Sequence, residues 1–386
     1  MASVKLGDIA IEAKSSNKGD KTGIRIVGLE HLTPSNVTLS SWSEDTGNTF
    51  TKEFSKGDVL FGRRRAYLKK AAVAPFDGIC SGDITVIRAI ENKVDPDLLP
   101  FIIQNDFLFD FAVGKSAGSL SPRVKWTHLK EFAIELPSMP EQSKLAETLW
   151  SINETKNAYE DLINKTDELV KSQFIEMFGD PQTNNKDMPV MHINEVVSLL
   201  RNGATIKQNK DKEGYPITRI ETISNRTVDR ERMGYAGITD ISKYEDYVLQ
   251  DGDILMSHIN SVTHMGKSAI YERNIDESII HGMNLLCLRP KVNIVVPYFL
   301  YRYFQLDYFY EQVLSITKKA VNQASMTIKD LGNLTVIVPD IESQMLYVDF
   351  VRQSDKSKFA LQEAIKDLDA LSKKIIAENL IPAGKE

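Results

Sequence analysis

Between residues 141 and 178 apolar side chains fall at Leu145, Leu149, Ile152, Tyr159, Ile163, Val170 and Met177. The steps are sums of three and four, with Glu, Lys, Asp and Asn between them, which predicts one long amphipathic helix. Pro137 and Pro140 precede it, and Gly179, Asp180 and Pro181 stop it. Both ends therefore carry helix punctuation. At 1.5 Å per residue it would be roughly 55 Å long, a length that suits a spacer. A second such stretch runs from Ser343 to Asn379, with Val348, Val351, Leu361, Ile365, Leu368, Leu371 and Ile375 at helical spacing.

Elsewhere the pattern shortens. The runs Asp83 to Arg88, Phe132 to Leu136, Leu285 to Leu288 and Leu334 to Val338 predict strands separated by Gly-bearing loops. Aromatic-rich stretches from Pro96 to Phe111 and from Pro297 to Leu314 read as buried helices, packed in a core rather than offered to bases.

These patterns occur twice. Glu30 and Leu32 correspond to Glu221 and Ile223, Gly57-Asp58-Val59-Leu60 to Gly252-Asp253-Ile254-Leu255, and Gly82 to Gly282. Pro96, Leu99, Gln104, Asp106 and Phe107 correspond to Pro297, Leu300, Gln305, Asp307 and Tyr308, and Leu136-Pro137 with Gln142 to Val338-Pro339 with Gln344. The spacing between matched positions grows slowly in one direction, as small loop insertions in a duplicated unit would make it. The expected order is globular, helix, globular, helix, with Pro181 to Pro189 as linker. Two long helices with apolar stripes need partners; they can pack as an antiparallel pair about a pseudo-twofold axis. Each helix covering only its own globular part is the alternative.

Composition narrows the class. The chain of 386 residues is 42% hydrophobic and 26% charged, ordinary for a soluble protein of two or three domains. The first residues hold no apolar signal core and no run approaches a membrane span, so a cytoplasmic location is expected. Cys80 and Cys287 show no disulfide framework or paired metal spacing and read as buried reduced thiols. A net charge of −6 means that a nucleic-acid ligand would need local basic patches.

Catalytic and cofactor motifs are missing. Gly266-Lys267-Ser268 lacks the earlier P-loop glycine, which falls at Ser261. Asp180-Pro181-Gln182-Thr183 is not an amino-methyltransferase signature. His258, His264 and His281 have no compact metal spacing. What remains are polar or basic loops at matched places. The first contains Arg63, Arg64, Arg65, Tyr67, Lys69 and Lys70, and its counterpart contains His258, Asn260, Ser261, Thr263, His264 and Lys267. A later pair holds Lys115, Ser119 and Arg123 in one half, and Lys318, Lys319, Asn322 and Gln323 in the other. Such side chains suit phosphate contact and base-edge reading.

The duplicated unit, the two Gly-Asp runs, the Leu136-Pro137 and Val338-Pro339 leads into the long helices, and the ending Phe174-Ile175-Glu176-Met177-Phe178-Gly179-Asp180-Pro181 together resemble HsdS, the DNA-specificity subunit of type I restriction-modification systems. The resemblance spans nearly the whole chain. It implies an α+β fold of two pseudo-repeated target-recognition domains separated by two long α-helices packed as an antiparallel coiled coil. The expected boundaries are 1–140 and 190–341 for these domains, 141–180 and 342–380 for the helices, 181–189 for the linker and 381–386 for a tail. It further implies a noncatalytic subunit that recognises split double-stranded DNA and binds no cofactor. Two methyltransferase (HsdM-like) subunits would carry S-adenosylmethionine, and up to two restriction (HsdR-like) subunits would join them. On that reading Leu145, Leu149, Ile152, Tyr159, Ile163, Val170, Leu361, Ile365, Leu368 and Ile375 lie on the partner-docking helices. The second helix departs from the repeat, ending in Asn379-Leu380-Ile381-Pro382, which puts equal docking at both sites in question. Competing readings are a single-chain modification enzyme, a coiled-coil scaffold with protein-binding heads, and a stand-alone DNA-binding protein without restriction partners.

Overall fold

A computed structural model describes residues 2–209, 212–320 and 323–382. The chain divides into two compact units, Met1–Leu162 with Ala360–Glu386, and Ile163–Phe359.

The first unit is built on a four-stranded sheet in the order Ala10–Glu12, Ile84–Ala89, Val59–Gly62, Ala71–Val73, with antiparallel neighbours. Its central strands are apolar on both faces. Val59, Phe61 and Ile87 join one hydrophobic cluster, whereas Leu60, Ile84 and Val86 join another. That alternation follows from the two-residue period of a strand covered on both sides. The second unit repeats the order with Val197–Asn202, Leu285–Pro290, Ile254–Ser257 and Ser268–Ile270. There Ile254, Met256, Leu286 and Leu288 face one cluster, and Leu255, Leu285 and Cys287 the other. Both cysteines are free and buried.

The repeated Gly-Asp pair has a structural purpose. Gly57 and Gly252 adopt φ of +89° and +85°, a left-handed conformation open to glycine at no steric cost. The turn lets the next aspartate fold back into the sheet. Asp58 accepts from the Ser55 amide at 2.7 Å and from Arg88 Nε and Nη2, both at 2.6 Å. Asp253 accepts from the Gln250 amide at 2.8 Å and from Arg289 Nε and Nη2 at 2.7 and 2.8 Å. Each is a two-pronged guanidinium–carboxylate pair on a buried aspartate.

The aromatic-rich stretches each form two short helices, Leu99–Ile103 with Asp106–Gly114 and Pro297–Tyr303 with Asp307–Ile316. The long helices are Met139–Phe178 and Ile341–Asn379. Gln142 and Gln344 clamp their starts. Gln142 accepts from the Asp95 amide and donates to the Pro137 carbonyl, both at 3.0 Å. Gln344 accepts from the Val296 amide at 2.8 Å and donates to the Pro339 carbonyl at 2.7 Å. The matched proline and glutamine positions are thus a helix-start device.

The division between units falls inside the long helices, because each half-helix buries its apolar stripe against the nearer sheet. Within the first unit Leu145 and Leu149 share a cluster with Ile375, Ile376 and Leu380, and Lys156 pairs with Asp369 at 2.8 Å. Within the second, Lys358 pairs with Asp167 at 2.6 Å, and Tyr347 meets Phe174 and Phe178. In each unit rising numbers on one segment meet falling numbers on the other, so the paired segments are antiparallel.

The dissimilar helix ends anchor alike. Phe174 and Phe178 are buried in the second unit, and Leu380 is buried in the first. The Leu380 carbonyl accepts from Asn105 Nδ2 at 2.9 Å and the Ile381 carbonyl from the Glu135 amide at 2.8 Å. Residues 181–186 of the expected linker form turns; Asn184 closes them on the Met188 amide and carbonyl, both at 2.9 Å. Among the described residues no helix is long and apolar enough to cross a membrane.

Candidate nucleic-acid interface

In the first unit the two candidate loops touch through their backbones. Antiparallel bridges join Arg64 to Arg123 and Ala117 to Arg123. The Arg65 amide donates to the Pro122 carbonyl at 2.8 Å, and the Val124 amide to the Arg63 carbonyl at 3.0 Å. Asp83 organises the cations. Its carboxylate accepts from Arg123 Nε at 2.7 Å and Nη2 at 3.2 Å, and Arg64 Nη1 lies at 3.4 Å. The hydrogen bonds from Arg123, and the nearby charges of Arg64 and Arg63, hold this carboxyl below its usual range. One carboxylate among Arg63, Arg64, Arg65 and Arg123 leaves the cluster positively charged.

The rest of the first loop is a 3₁₀ turn, Ala66–Leu68, between Arg65 and Lys69, both left-handed at φ of +55° and +51°. The turn lifts Tyr67 into solvent, 54% exposed. Lys69 pairs with Asp106, and Lys70 donates to the Leu29 carbonyl at 2.7 Å. Arg65, Lys115 and Ser119 are exposed.

The second unit makes the same connection with other side chains. Ile259–Asn260 pairs with Ala324–Ser325, which pairs in turn with Lys318–Lys319. Asn260, Lys318 and Lys319 thus meet on one small ladder, with Gln323 exposed beside it. Ser261 Oγ lies 3.1 Å from Thr263 Oγ1, which lies 3.0 Å from His264 Nδ1, a chain of exposed polar groups. Lys267 is half-buried, and burial followed by the nearby Arg226 charge pulls its pKa down. Asn322 lies outside the described residues.

His258 requires a correction. The sequence offers it as a base reader, but it follows the strand Ile254–Ser257 inward and is only 5% exposed. Its Nδ1 is buried with no hydrogen-bond partner among the described residues, and burial holds the ring's pKa below the ordinary histidine value. Asp83 and Arg226 were not singled out by sequence reasoning. Asp83 stands 40 residues from Arg123, and no local pattern announces that pairing.

One sheet order built twice, each with two loops bridged through their backbones, marks a duplicated domain. The family model described as the type I restriction modification DNA specificity domain matches residues 1–167 and again 185–368. The chain belongs to that family.

Among curated specificity subunits, the chain is 42% identical over 194 residues to the putative type I restriction enzyme MjaX specificity subunit of Methanocaldococcus jannaschii, covering 49% of this chain and 44% of that protein. It is 29% identical over 146 residues to the EcoDI specificity subunit of Escherichia coli, covering 35% of this chain and 31% of that one. These matches span less than half the length of either relative. Solved structures share the fold over almost the full chain. A chain from a type I R-M system, solved to explain its complex assembly and conformational transition, has a TM-score of 0.58 at 21% identity, covering 98% of this chain and 97% of that one. The type I restriction-modification S subunit from M. genitalium has a TM-score of 0.59 at 12% identity, covering 97% and 94%.

In this specificity-domain chain the docking assignments also need correction. Leu149 and Val170 are buried within their own units, and Leu145 and Ile375 pack against the first unit's core. Their stripe is the intramolecular seam, so it is not available to a partner. Ile152, Tyr159, Ile163, Leu361, Ile365 and Leu368 are half-buried; Ile152 and Leu368 line an open cleft of the first unit with Leu371.

A buried histidine gives the second unit a pH response. His281 Nε2 lies 2.8 Å from the Leu285 carbonyl, to which it donates, and burial lowers the ring's pKa to about 4. Unfolded, the ring titrates near the usual ~6.5. The unfolded chain therefore binds the extra proton first, and stability should fall as pH drops from about 6.5 to about 4, on the order of 3 kcal/mol in total. His281→Gln should flatten that slope in urea unfolding monitored across this pH range.

Proposed function

We propose that this chain is a noncatalytic DNA-specificity subunit whose two units each read one half of a split double-stranded target. The observation that supports this best is the shared ladder. It presents Arg64, Arg123 and their neighbours in the first unit, and Asn260, Lys318 and Lys319 in the second. One backbone frame with different side chains reads different bases, since cations hold phosphates while forked or amide side chains select base edges. In this proposal residues 1–140 and 190–341 are target-recognition domains. The long helices form an antiparallel coiled coil that spaces the two half-sites and docks two methyltransferase subunits. S-adenosylmethionine is carried and adenine methylated on those partners, and up to two restriction subunits join for cleavage.

The test is co-expression with a type I methyltransferase subunit in a methylation-free host, followed by mapping of modified adenines across the genome. The expected result is one gapped motif that vanishes when this chain is omitted. Absence of both methylation and co-purification would overturn the proposal in favour of a protein-binding scaffold.

A further inference from the structure

The loop from Ala117 to Arg123 is a closed hairpin. The Ala117 and Arg123 amides and carbonyls exchange hydrogen bonds of 3.0 and 2.9 Å. Gly118, at φ +115°, makes the turn possible. Its base is braced from outside by the Asp83 carboxylate on Arg123, and by Arg64 Nη2 donating to Ser121 Oγ at 3.1 Å. At the tip of this held loop stands Leu120, 90% exposed. A leucine so exposed contributes almost nothing to the fold, yet this one projects from a rigid support with the exposed Arg65, Lys115 and Ser119 on the same pair of loops.

We infer that Leu120 is a specificity-determining residue that reads the C5 methyl of a thymine in the major groove; the inference rests on the DNA-reading role proposed above. The cationic loops select a polyanion as the partner, because the positive charge left around Asp83 complements phosphate. The major groove is wide enough to admit a two-stranded ribbon, and the thymine methyl is an apolar group on its floor. Leucine cannot hydrogen-bond a base edge, so contact with that methyl is the base-specific interaction its chemistry allows. A polar hairpin tip would be indifferent to the methyl.

The experiment uses the full chain in complex with its methyltransferase partner, on duplexes carrying the target motif found by the methylation map. Each thymine of both half-sites is replaced in turn by deoxyuridine, which lacks only the C5 methyl. Deoxyuridine at one position in the half read by the first unit should weaken binding of the unsubstituted complex about four- to fifteenfold, the effect of one or two buried methyl equivalents. Leu120→Ala should weaken binding to the thymine duplex by a similar factor and be insensitive to deoxyuridine there. Its thermal unfolding should match that of the unsubstituted chain. Equal binding to thymine and deoxyuridine at every position, or losses from Leu120→Ala and deoxyuridine that simply multiply, would overturn the inference while leaving the specificity role intact. Absence of any motif-dependent binding would overturn both.

Discussion

Arg289→Met should destabilise the second unit by about 3–5 kcal/mol, the usual cost of removing one partner from a buried ion pair. The reason lies with the partner left behind. Asp253 is fully buried and accepts two hydrogen bonds from Arg289 and one from the Gln250 amide. Without the guanidinium, the Gln250 amide and the weakly donating Cys287 thiol would have to satisfy a whole carboxylate away from water. The equivalent Arg88→Met in the first unit should cost less. Asp58 is similarly buried, but the Arg88 side chain is 42% exposed against 25% for Arg289, so water can reach the vacated site more easily. Combining Asp253→Asn with Arg289→Met should recover much of the loss, because no charge is then stranded. Urea unfolding combined with hydrogen exchange over residues 254–290 would measure this. All three tryptophans, Trp42, Trp126 and Trp150, belong to the first unit, so their fluorescence follows that unit's unfolding. A cost below 1 kcal/mol for Arg289→Met would mean that Asp253 finds other donors.

The duplicated frame was legible because local chemistry writes it. A glycine that turns the chain, an aspartate that folds back, and a Pro…Gln pair that starts a helix each act within a few residues. Strand and helix periodicity likewise marked the sheets and long helices. The candidate site was less legible, for a physical reason that recurs at each correction. Arg64 and Arg123 read as free cations until Asp83, in the turn before the strand Ile84–Ala89, is brought between them. His258 reads as a surface donor until the strand before it carries it inward. The backbone bridges joining residue 64 to 123, and residues 259–260 to 324–325, depend on pairings no short window of sequence contains. Helical spacing marked the apolar stripe and suggested that the long helices pair, but it could not say which of those residues each unit draws into its own core.

Phe174→Ala should lower the second unit's stability by about 3–5 kcal/mol, the range for truncating a large buried aromatic side chain. For a unit of this size that corresponds to a fall in Tm of roughly 10 °C. Phe174 is 1% exposed and sits among four rings: Tyr347 at 5.4 Å between centroids, Phe178 at 5.2 Å, Tyr303 at 6.0 Å and Phe299 at 6.1 Å. Together with Phe178, its ring joins both paired long-helix segments to the aromatic helix Pro297–Tyr303, so its loss opens a cavity at the junction of all three elements. Phe174→Leu keeps part of the volume and should cost less than half as much. Circular dichroism melts of both variants would separate two causes. A steep difference between Ala and Leu makes the cost a packing cost at a fixed junction. Equal, small losses would mean that the helix end shifts to refill the space, and that the junction tolerates movement where the proposed spacer needs it rigid.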